Sequence, residues 1–275
     1  MTNIVTGKKK AILKVTIYWS LFYILFIAAT SQSGAIFSNH VHRFTSAILG
    51  TIIVLLVTWI FIKSENKILA DYNLVWRKST LLKFFKGLAI GAAAYSTIIV
   101  LLVLFGGLTI QKNPEALSLW MPFLYLAIVP AAYMEEVAFR SFPFIKLNKA
   151  FGLRTTQLIV VIAFALYHIP LGWSILSAFL GPGIWALIFG IAAVRSKGIA
   201  LPTGIHVGLN LIQSIFGMSK GIESFWLTSQ DENTSSFIAN LVIRILILLT
   251  GILLTENYIR RSSDFQQAWN FRTKK

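Results

Sequence analysis

Residues 119–145, LWMPFLYLAIVPAAYMEEVAFRSFPFI, are apolar enough to cross a bilayer and yet enclose Glu135, Glu136 and Arg140. A helix needs about 20 apolar residues to span the hydrocarbon core. In lipid the backbone must satisfy its own polar groups within a helix or a closed barrel. The run shows none of the period-two alternation of a barrel strand, so a helix is predicted. Ionised side chains at membrane depth cost roughly 2.5 to 3.5 kcal/mol each on insertion scales. Three of them in one span therefore mark a functional site rather than a packing detail.

The rest of the chain repeats the same pattern. Apolar segments fall at about 11–30, 44–62, 84–109, 119–145, 156–171, 173–194, 199–216 and 237–256. The predicted fold is all-α: a polytopic transmembrane bundle of about eight spans with a polar catalytic cavity between helices. One integral membrane domain covers 1–275, with a core at about 119–216. A mean hydropathy of +0.72, with 56% hydrophobic and 13% charged residues, lies far outside the soluble globular range. The basic start before the first apolar run is read as part of an uncleaved span, because that run is longer than a signal peptide's and lacks a small-residue cleavage site. Cysteine is absent, which excludes disulfides, thiolate-bound zinc, iron–sulfur clusters and a cysteine nucleophile.

The net charge of +15 is a topogenic signal, not a nucleic-acid footprint. Nineteen Lys and Arg residues lie in the amino-terminal tail, the even-numbered loops and the carboxyl tail, whereas the odd-numbered loops hold only Arg43, Lys112 and Lys220. By the positive-inside rule both termini face the cytoplasm, in what the composition suggests is a bacterial plasma membrane. The partners expected are the lipid bilayer, with an affinity for anionic lipid, and a membrane-associated peptide or protein. The longest outer polar stretch, about 217–236, carries Glu223, Asp231 and Glu232, read as solvated loop charges. His40 and His42 are read as residues of an outer loop.

Helical geometry sorts the polar residues. Glu136 and Arg140 stand one turn apart and can pair, while Glu135 points elsewhere, beside Ala131 and Phe139. Glu135 is then the freer carboxylate and the better base. His206 and Asn210 share a face of the seventh segment, opposite Gly204 and Gly208, whose spacing, like that of Gly87 and Gly91, permits close helix approach. Pro130, Pro170 and Gly181-Pro182-Gly183 are expected to kink or break spans, and the sixth segment to be a broken helix. Counting 1.5 Å per residue up from residues 147, 156 and 199 brings Glu135, His168, His206 and Asn210 to one layer near mid-bilayer.

The pattern Glu135-Glu136-x-x-x-Arg140, then Phe164-x-x-x-His168, then His206-x-x-x-Asn210, each in its own span, resembles the CAAX protease and bacteriocin-processing (Abi) family of intramembrane peptidases, which includes the type II CAAX prenyl endopeptidase. The resemblance implies that Glu135 and His168 activate a water, that His206 and Asn210 stabilise the oxyanion, and that Glu136 and Arg140 position them. It further implies an endopeptidase acting on membrane-associated substrates, with roles in bacteriocin processing or self-immunity. No cofactor is expected on that reading. A competing reading makes Glu135, His168 and His206 a three-ligand zinc site with a fourth position for water. Buried Glu, His and Arg beside broken helices also suit a proton-coupled transporter, and a catalytically silent immunity or scaffold protein could keep the same fold. Phe164 is expected to pack beside the site. Arg244, inside the last span, finds no role in the sequence.

Overall fold

The computed structural model describes residues 2–36, 39–115, 118–219, 222–230 and 233–272, and the side chains within 6–31, 41–115, 118–219, 222–230 and 233–262. The chain is a helical bundle. In order it forms α1 (Thr2–Ile36), α2 (Asn39–Lys63), a 3-10 turn Leu69–Tyr72, α3 (Thr80–Phe105), β1 (Leu108–Lys112), α4 (Met121–Arg140), α5 (Phe142–Phe151), α6 (Leu153–His168), α7 (Ile175–Ala178), a π turn Phe179–Gly183, α8 (Ile184–Ser196), α9 (Ala200–Ile215), β2 (Trp226–Gln230) and α10 (Thr234–Arg272).

Seven helices among the described residues are long and apolar enough to cross a membrane, not eight. The predicted span missing from that set is the seventh, α9, whose 16 residues fall short. It is also the helix whose residues Pro202 to Leu209 are buried on all sides. A helix surrounded by protein need not match the thickness of the lipid. α9 nonetheless runs parallel to α3: Gly87 faces Leu201 and Gly204, Gly91 faces Ile205, and a Cβ on Gly87, Gly91, Gly204 or Gly208 would collide with a backbone carbonyl oxygen of the other helix. Without a strong hydrophobic drive between helices in lipid, such backbone-to-backbone contact is what holds them together.

Several boundaries differ from those expected. The fourth segment is two helices, broken at Ser141 (φ −96°, ψ −112°), where Pro143 opens α5 and cannot extend the preceding ladder. Measuring depth along one continuous helix from residue 147 therefore does not hold. α3 ends at Phe105, and Gly107 at φ 64° turns the chain into β1, which pairs antiparallel with β2, Leu108 opposite Gln230. Part of the outer polar stretch is thus a strand. Glu223 there is not a solvated charge: it accepts from the Ser118 N–H at 2.8 Å and the Ser118 hydroxyl at 2.5 Å. Asp231 and Glu232 lie outside the described residues. His42 belongs to α2 rather than to a loop, and the side chain of His40 lies outside the described residues.

The core gathers α1, α2, α4, α5 and α6 around aromatic rings. Phe142 packs on Tyr18, Phe61 and Tyr72 with centroids 5.6, 5.4 and 5.2 Å away. Side chains also tie helices to backbone carbonyls of α4, Trp19 to Ala138 at 3.0 Å and Thr51 to Pro130 at 2.9 Å. At one end of the bundle Glu65 accepts from Lys14 at 2.8 Å, Lys146 at 2.5 Å and Tyr72 at 2.6 Å. That bond set puts the start of α1, the end of α2 and α5 at the same end, as the alternation of basic loops predicts.

Candidate active site

α4, α6 and α9 each turn a polar face toward one point. Glu135 projects from α4 with its side chain 14% exposed, and its Oε2 faces His168 Nε2 of α6 at 3.9 Å and His206 Nε2 of α9 at 3.7 Å. These separations are too long for direct hydrogen bonds and suit one small group held between the three atoms.

Each imidazole is oriented through its other nitrogen. His168 Nδ1 lies 2.7 Å from the Phe164 carbonyl, and His206 Nδ1 lies 3.1 Å from Glu136 Oε1. A carbonyl and a carboxylate oxygen can only accept, so both Nδ1 atoms carry hydrogen and both Nε2 atoms point at Glu135. Glu136 Oε1 also accepts from Arg140 Nη1 at 3.3 Å, and both residues of that pair are fully buried. Glu136 thus links α4's cation to α9's imidazole.

The sequence placed Phe164 beside the site but did not single out the other walls that hold this assembly. The Arg140 guanidinium sits over Phe164 at 4.4 Å, Phe189 at 5.1 Å and Phe139 at 5.9 Å, a cation–π cage that offsets part of its desolvation. Phe189 of α8 also stacks on His206, 4.7 Å between centroids and 18° between planes. Tyr167 and Trp173 meet His168 edge-on at 5.1 and 5.9 Å. Phe164 stood out by its four-residue spacing from His168, whereas nothing in the chain marked Phe189.

Polar atoms at this point remain without a protein partner: Glu135 Oε2, Glu136 Oε2, and Arg140 Nε and Nη2. Each buried orphan of this kind costs about 1 to 3 kcal/mol or more, which such sites bear where the groups meet water or substrate. Asn210 stands one turn beyond His206 on the same face, half-buried, and its amide makes no hydrogen bond to the other five side chains. No group of three His, Asp or Glu side chains among the described residues is disposed to hold a metal ion, the set Glu135, His168 and His206 included.

Residues 116–212 match the model of the type II CAAX prenyl endopeptidase Rce1-like family. Over these residues the chain is similar to that family. All six polar residues named above lie in the matched CAAX-type segment. The coarse assignment is an intramembrane endopeptidase of the CAAX type, embedded in a bilayer and acting on a peptide or protein. No curated protein matches the chain.

Proposed function

We propose that this protein hydrolyses peptide bonds of membrane-associated substrates with a water activated by Glu135 and His168, without a covalent enzyme intermediate. The observation that carries this reading is the meeting of Glu135 with both imidazole Nε2 atoms from three separate helices. A water between them donates one hydrogen to Glu135 and one to His168. Glu135 takes the proton as the water oxygen bonds to the scissile carbon. The carbonyl oxygen becomes an oxyanion, received by His206 and the Asn210 amide. Because His206 Nδ1 already donates to Glu136, its Nε2 donates to the oxyanion as the imidazolium. The C–N bond then breaks, and the proton held by Glu135 passes to the leaving amine. Glu136 and Arg140 position His206 and touch no substrate. The basic end of the bundle, with both chain termini, faces the cytoplasm.

The test is cleavage of a membrane-peptide library by protein purified into vesicles, wild type against Glu135→Ala, each before and after exhaustive chelation. The reading expects cleavage by the wild type, its loss on substitution and its survival after metal removal. Activity that disappears with metal and returns with zinc would replace water activation by Glu135 with the zinc mechanism. Proton-gradient-driven flux without cleavage would replace hydrolysis with transport.

A further inference from the structure

Arg244 is a half-buried charge within a span that the chemistry above leaves unused. It sits on α10, the least buried of the long helices, where a guanidinium is costly. Its side chain does not turn to a carboxylate: Nη1 donates to the Leu180 carbonyl at 2.5 Å. That carbonyl is available because the backbone leaves the helix at this point. Gly181 has φ −109° and ψ −105°, Pro182 supplies no N–H, and the Ile184 N–H donates to Gly181 and Phe179 instead.

The segment so pinned is the one that leans on His168. Gly183 packs on Ala165, one turn before His168, and Gly181 faces the Trp173 ring. Trp173 in turn stands perpendicular to the His168 imidazole at 5.9 Å, and its backbone N–H donates to the His168 carbonyl at 3.3 Å. A continuous set of contacts therefore runs from α10 through the broken helix to the imidazole facing Glu135.

We propose that Arg244 is a positioning residue: by holding Leu180 it keeps the segment 172–183, and Trp173 within it, against His168 and so fixes that imidazole opposite Glu135. The catalytic consequence rests on the peptidase reading, whereas the mechanical one does not. Arg244→Met keeps length but removes the donor, and Arg244→Lys keeps a donor with a shorter reach.

The test reads three quantities on full-length protein in vesicles. Amide exchange of residues 172–183 rises about tenfold or more in Arg244→Met while exchange of α3 and α9 stays unchanged. Modification of His168 by diethyl pyrocarbonate changes about fivefold or more, that of His206 does not, and Arg244→Lys restores part of both. With a cleaved peptide, kcat falls by about tenfold or more and KM stays within about threefold, since a displaced catalytic group affects the chemical step. Unchanged exchange and unchanged His168 reactivity would overturn the proposal, as would a rise in KM with kcat intact. If the wild type cleaves nothing, the peptidase reading falls, and exchange and His168 reactivity still decide whether Arg244 positions the imidazole.

Discussion

At the scale of single residues, the buried pair Glu136–Arg140 is the costliest feature of the site and the least replaceable singly. Removing Glu136 leaves Arg140 charged and without its carboxylate at full burial, and removing Arg140 leaves Glu136 with only the His206 imidazole, a loss of about 3 to 5 kcal/mol. Arg140→Met is expected to lower the thermal midpoint by on the order of 10 °C, and Glu136→Gln combined with it to recover part of that drop. Equal midpoints for the single and double variants would mean that the pair is not coupled. The pairing was legible from a four-residue spacing, because a helix fixes which side chains share a face. The hydrogen bond from His206 to Glu136 was not, since nothing local to either segment states which face of α9 meets α4. For the same reason Arg244 had no visible partner: a backbone carbonyl set free by a broken helix carries no signature in side-chain chemistry.

Among the elements, the contact of α3 with α9 carries the most weight, because it sets His206 on the opposite face of a helix that cannot move sideways. Gly204→Val would drive a side chain into the Phe84 carbonyl, and overpacking of that kind costs about 1 to 3 kcal/mol or more. The expected outcome is a lowered thermal midpoint together with reduced cleavage, and a variant with wild-type midpoint and rate would contradict the packing described. The glycine spacing predicted close approach and the opposed polar face correctly. Element ends were less legible. Hydropathy ran through Ser141 and past Phe105 without a change, since a kink between two apolar helices and a turn into a strand that opens on Leu108 leave the apolar run unbroken. α9 was read as a full span because an apolar helix buried in protein and one bathed in lipid look alike in sequence.

For the whole molecule, one end of the bundle is closed by Glu65, which joins α1, α2 and α5 through Lys14, Lys146 and Tyr72. Burial pushes the Glu65 carboxyl up, but the hydrogen bonds from Lys14, Lys146 and Tyr72 outweigh it and hold the carboxyl at about 2, against an ordinary 4.5. A depressed folded-state value stabilises the fold above the unfolded value, and that contribution is lost as pH falls from about 4.5 toward about 2. Thermal midpoints measured between these limits should decline for the wild type and decline less for Glu65→Gln; parallel curves would remove Glu65 from the account. The all-α membrane architecture was readable from composition and run length, because lipid leaves the backbone few alternatives. Convergence of the three polar motifs was also readable, although depth counted along an unbroken fourth helix was the wrong route to it. The account stands most directly on Glu135 as the base, and single-turnover cleavage by Glu135→Gln, which keeps the shape and removes the charge, measures that. A loss of about 10²-fold or more with an unchanged thermal midpoint is the predicted result, and a rate within about threefold of wild type would contradict it.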